Sequence, residues 1–273
     1  MKRILFFCSL IFILSACTTT STGKGFSAFD DNKVLEAIPH FEQGLIEGDK
    51  LAPMMLSMIY LADTHVPRNI DQSKIYYDKV FEMEGNTFDQ YLDYYLPYIQ
   101  AKISLLDDDI DNDLQGVKLL RQGKYKNYAP VLALLARCYS YEIGVDKNYK
   151  LANQLFMRSV QFDLKDWSRL KYAWVLATHE DDSFDYGINA MAYIPDINEV
   201  DIDEEYLFIY YDTLAVAHAK NGQFDDAIAS EKKAIKLIKN QLSIYPNYEN
   251  WIADFQDRLA LFEDGRPYTS SEL

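Results

Sequence analysis

The chain has 273 residues, with 42 acidic against 27 basic side chains and a formal net charge of −15. That excess opposes nucleic-acid binding, whose affinity comes largely from Lys and Arg on phosphates, and equally opposes docking of the body on anionic lipid. Hydrophobic residues make up 49% of the chain, enough for a core in one elongated unit or two packed ones, and three cysteines make no disulfide framework, so stability must come from packing.

At the N-terminus, Lys2 and Arg3 precede an apolar run from Ile4 to Leu14, which ends in Leu14-Ser15-Ala16-Cys17. The run is shorter than the ~20 residues of a spanning helix, and residues 1–16 read as a cleavable secretory signal. The four residues ending at Cys17 resemble the lipobox of bacterial lipoproteins. The resemblance implies cleavage before Cys17, a diacylglycerol on its thiol and a further acyl chain on its new amine. With Thr18 rather than aspartate following, it implies an anchor on the periplasmic face of a Gram-negative outer membrane. Cys8 would leave with the signal and Cys17 would carry lipid, so Cys138 has no partner for a disulfide within the chain. Residues 17–30, which include Thr18-Thr-Thr-Ser-Thr-Gly-Lys-Gly-Phe26, are small and polar and read as a flexible tether.

From about Asp31 apolar residues recur at helical spacing, Gly, Asn and Asp punctuate the chain, and no run alternates as a strand does. An all-α body is predicted. An internal repeat organises it: Tyr60, Val66, Asn69, Ser73 and Tyr77 align without a gap on Tyr139, Val145, Asn148, Ala152 and Phe156, 79 residues later. The second copy, with Ala136, Tyr139, Gly144-Val145, Asn148, Ala152, Phe156 and Ser159, resembles a Sel1-like repeat, and a diverged copy is expected around Tyr94 to Lys124. Small residues at 136 and 152 would let two antiparallel helices approach closely. Further on, Tyr211, Leu214-Ala215, Gly222, Phe224, Ala227 and Ala234 resemble a tetratricopeptide repeat, with Tyr172 to Thr178 as a preceding helix and Arg258 to Tyr268 as a closing one. In that pattern His218 and Glu231 stand where an aromatic and a bulky residue are usual. The resemblance implies an all-α, right-handed helical-repeat solenoid: Sel1-like repeats over 31–165, tetratricopeptide repeats with a closing helix over 166–268, and a tail at 269–273.

Motifs for chemistry are few. Asp107 to Asp113 alternate like a calcium loop, but from Asp109 the glycine position holds Leu114 and the bidentate-glutamate position holds Leu120. His40, His65, His179 and His218 form no zinc motif, and no phosphate-cradling loop or nucleophile elbow is present. His179-Glu180-Asp181-Asp182 falls where the resemblance places a turn, and Cys138 reads as a small core residue. No cofactor, metal or catalytic residue is assigned.

Function is therefore sought on a surface. In such a stack the first helices of successive pairs line a concave face. Counted from the small residue of each first helix, its outward positions hold Met54 and Met58, then Arg137 and Tyr141, then Lys171, Trp174 and Thr178, then Asp212 and Lys220. Met, Tyr, Trp and Arg make adaptable or anchoring contacts, although packing between repeats would use Trp174 and the methionines equally well. The expectation is a non-enzymatic adaptor that holds a segment of a protein partner, of basic character given the charge, through a candidate groove of Met54, Met58, Arg137, Tyr141, Trp174 and Asp212. A pilotin-like carrier of a secretion or pilus subunit, and an enzyme with a site built across repeats, are the alternative classes.

Overall fold

The computed structural model describes residues 20–31, 33–62, 65–84, 89–107, 109–125, 127–163, 165–185, 188–196, 200–245 and 247–270. Cys17, the signal at 1–16 and residues 271–273 lie outside them. Among the described residues there are twelve α-helices, four short 3-10 turns and no strand. No described helix is long and apolar enough to cross a membrane.

The chain divides into two compact units, Met1–Asp108 and Asp109–Leu273. The division falls inside the segment read as a diverged repeat, and not between 165 and 166. The first unit holds α1 (Ser21–Asp30), α2 (Val34–Ile46), α3 (Leu51–Ala62), α4 (Ile70–Glu82) and α5 (Asp89–Leu106). α1 packs on α2 and α3 on α4, and one apolar core joins Phe41, Leu56, Ile59, Val80 and Ile99. The second unit holds α6 (Ile110–Leu120), α7 (Ala129–Tyr141), α8 (Tyr149–Phe162), α9 (Trp167–Thr178), α10 (Leu207–Lys220), α11 (Phe224–Lys239) and α12 (Tyr248–Glu263). Here α7 pairs with α8, α10 with α11 and α11 with α12, while α9 packs on α7, α8 and α10. Where a second helix would follow α9, the chain instead makes 3-10 turns at Asp182–Asp185, Ala190–Tyr193 and Glu204–Tyr206.

The tether expectation fails over Ser21–Asp30. Thr20 caps α1 by accepting from the Gly23 N–H at 3.1 Å, and a Cβ added at Gly25 would stand 2.7 Å from the Phe41 ring. The glycines serve close helix packing rather than chain flexibility, and tertiary contact overrides their low helix propensity.

The internal duplication is present atom for atom. In the α3–α4 hairpin the Asn69 N–H donates to the Tyr60 carbonyl at 2.9 Å, and in the α7–α8 hairpin the Asn148 N–H donates to the Tyr139 carbonyl at 2.9 Å. Each asparagine then caps its helix, accepting from Gln72 N–H at 2.9 Å and from Leu151 N–H at 3.0 Å. The helices cross at paired small residues: Ser57 and Ser73, hydroxyl to hydroxyl at 2.8 Å, correspond to the fully buried Ala136 and Ala152.

Gly144 lies in the turn between α7 and α8 at φ +64, and a Cβ there would stand 2.5 Å from the Asp113 carbonyl carbon and oxygen. Gly222 has φ +74 with open space around it. Left-handed strain alone costs about 1–2 kcal/mol, and forced overpacking adds about 1–3. Gly144→Ala should therefore lower stability in a denaturant titration by about 2–4 kcal/mol and Gly222→Ala by about 1–2; equal losses would show that the turn does not press on the α6 backbone.

Candidate functional site

Helical geometry decides which expected face residues are accessible. The small crossing residue of each first helix is Ser57, Ala136, Ala173 or Ala215, and the residue three before it lies on the same stripe. Those residues are Met54, Ala133, Leu170 and Asp212, and all four are buried. Met54 and Asp212 are thus corrected from outward to inward positions. The residue one after the crossing point turns aside: Met58, Arg137 and Trp174 are half-buried. Met58 packs against the core of the first unit, and Arg137, Tyr141 and Trp174 lie in the second.

α9 carries the most informative part of the second unit. Lys171 is exposed, yet the protein around it lowers its ammonium pKa by desolvation, with a further lowering from the Arg137 guanidinium and a smaller opposing pull from Asp163. Among the described residues Lys171 forms no ion pair. Accessible surface together with a crowded surrounding is what a cation on the floor of a recess shows, and its sensing of Arg137 puts α7 and α9 side by side there. One turn on, the Trp174 ring stands 6.0 Å from the Tyr268 ring. Tyr141 stacks on His179 at 5.0 Å, and burial pushes its phenol up to about 12.

His179 ends α9 and is enclosed rather than poised. It stacks at 4.4 Å on Phe184, its Nδ1 accepts from the Asp181 N–H at 3.1 Å, and its Nε2 lies 3.3 Å from the Ser140 carbonyl. Burial lowers its pKa. His218, the other histidine of this unit, faces Gln223 at 3.3 Å. The buried Cys138 thiol is pushed up to about 12, chiefly by burial. Among the described residues no group of three or more His, Cys, Asp or Glu could hold a metal. Asp109, in the calcium-like run, caps α6 by accepting from the Asp111 N–H at 3.1 Å.

Beneath Trp174 lies a charged cluster that sequence reading did not assemble. Arg258 Nε donates to Asp212 Oδ1 at 2.9 Å and stands 3.6 Å from Glu231 Oε1. Exposures of 7%, 6% and 0% for Arg258, Asp212 and Glu231 make this an interior cluster. Neither Glu231 oxygen has an amide, hydroxyl or cation at hydrogen-bonding distance. The missing donor is the proton of Glu231 itself: burial first, and the Asp212 charge second, raise its pKa and keep it neutral, so that it donates to Asp212 while Asp212 pairs with Arg258. The guanidinium also lies 5.4 Å from the Trp174 ring, 4.8 Å from Phe255 and 5.3 Å from Tyr268. The one signal in the sequence was Glu231 in a slot that usually holds a bulky residue. A buried acid there calls for a cation or a second acid, and neither spacing nor periodicity points to Arg258 on α12.

No protein-family model matches the chain, and no curated protein matches it.

Proposed function

We propose that this protein is a protein-binding adaptor of the cell envelope, anchored through lipid on Cys17 to the periplasmic face of an outer membrane. In this reading the helix pairs are tetratricopeptide-like and Sel1-like repeats forming a right-handed solenoid. The recess bearing Arg137, Tyr141, Lys171 and Trp174 is the face that receives a partner segment. The observation that carries the proposal is Lys171, accessible yet crowded, beside Arg137 and one turn from Trp174. A cation and an indole held together in a recess make a binding surface, since aromatic and Arg anchors in partly desolvated places supply most interface energy. The interior cluster is no rival as a catalytic site, because Glu231 has no exposed surface for a substrate to reach. The high negative charge of the whole steers a partner of basic character, whose association slows as salt rises.

Two measurements test this. Cys17→Ala should remove the protein from the outer-membrane fraction, and a variant that still sediments there would contradict the anchor. A partner captured by crosslinking in the native envelope should bind Trp174→Ala more weakly by about 2 kcal/mol or more, with parent-like melting. Unchanged affinity would move the binding face elsewhere, and a large fall in melting temperature would make Trp174 a packing residue.

A further inference from the structure

The recess is already in use. α12 ends at Gly265, whose φ of +69 reverses the chain, with Arg266 N–H donating to the Leu261 carbonyl at 2.9 Å. Pro267 follows, and the extended residues 266–270 run back along α9. Tyr268 reaches the Trp174 ring and the Arg258 guanidinium, and Ser270 N–H donates to the Thr178 carbonyl at 2.8 Å. That carbonyl is among the last four of α9, which have no partner within their own helix.

The two sides of this contact differ in how they are held. Arg258 is fixed from below by Asp212, and the Thr178 hydroxyl donates to the Trp174 carbonyl at 2.9 Å. The seat is therefore built without help from the tail. The tail itself leaves Arg266, Pro267 and Thr269 exposed. A segment tied down by one aromatic ring and one main-chain bond opens more easily than the helices beneath it.

Resting on the reading of this recess as a peptide-binding face, we propose that its ligand is an extended peptide with an aromatic side chain and a free main-chain N–H two residues later. The chain's own Arg266–Ser270 holds that seat as a resident competitor. The aromatic ring lies between Trp174 and Arg258, and the later N–H satisfies the Thr178 carbonyl, so proline is excluded at that second position. A partner segment binds by displacing Tyr268, and the tail, tethered beside its seat, competes at the high effective concentration of an intramolecular ligand.

The test uses the full chain and a fluorescent peptide of the sequence Gly-Arg-Pro-Tyr-Thr-Ser, followed by anisotropy. Tyr268→Ala should bind this probe at least about tenfold more tightly than the parent, while Tyr268→Phe, which keeps the ring, should bind it like the parent. Probes with alanine for tyrosine, or proline for the last serine, should lose most of the binding to Tyr268→Ala. Equal binding to the parent and Tyr268→Ala overturns the competition. No binding to a folded Tyr268→Ala variant overturns the seat and leaves the tail a structural cap. If an envelope partner still loses affinity on Trp174→Ala in that case, the adaptor reading stands and only the ligand assigned here falls.

Discussion

Arg258→Met is expected to destabilise the second unit by about 3–5 kcal/mol, because it leaves Asp212 as a buried carboxylate without its counter-ion. The chain can relieve this only by protonating Asp212, so the loss should be smaller at pH 5 than at pH 8. The change also removes the cation from beneath Trp174 and Tyr268, so the tail should loosen together with the core. The triple variant Asp212→Leu, Glu231→Leu, Arg258→Met should regain most of the stability, since replacing a buried charge cluster with apolar groups of similar volume is often neutral or better. Denaturant midpoints for the parent, single and triple variants decide it. A single variant within about 1 kcal/mol of the parent would show that the cluster is hydrated and weakly coupled.

The second large effect is a pH dependence of unusual sign for a carboxylate. Glu231 has a pKa raised from 4.5 to about 10 in the folded chain, by burial first and the Asp212 charge second. Between those values the folded state holds a proton that the unfolded state has released. Its stabilising contribution is complete below the unfolded pKa and declines as pH rises, by up to about 1.4 kcal/mol per pH unit for one group. Glu231→Gln keeps a neutral hydrogen-bond donor toward Asp212 and removes the titration. The variant should therefore be more stable than the parent at pH 8 and above, and little different at pH 5. Urea titrations at four pH values give the two slopes, and parallel profiles would mean that Glu231 is ionised in the folded protein.

What the sequence disclosed is the recurring local chemistry. The offset of 79 residues between hairpins was readable because the capping asparagine and the tyrosine whose carbonyl it bonds recur at one spacing. The closing helix expected from Trp251 to Glu263 is present as Tyr248–Glu263. Met54 and Asp212 were misplaced for one shared reason. Counting outward from a small residue identifies the stripe that carries it, but the position three earlier lies on that stripe, against the partner helix. α1 was misread because glycine, serine and threonine serve a tether and a tight helix crossing alike, and only Phe41 and Gly44 on the next helix distinguish them. Arg258 was invisible because its partners lie 46 and 27 residues away on two other helices. Trp174 and Tyr268 are likewise joined by a chain reversal at Gly265 that no periodicity encodes.

The central claim is that the recess at α9 receives a partner protein. It is tested most directly by placing a photo-crosslinking residue at position 171, and at the exposed position 154 on α8 as a control, in the full-length chain within its native envelope. The account predicts a discrete protein adduct from position 171 that is absent from position 154, weakens with Trp174→Ala and maps to an extended aromatic-bearing segment of the partner. The same adducts from both positions, or none from position 171 in cells where the protein is folded and anchored, would contradict it.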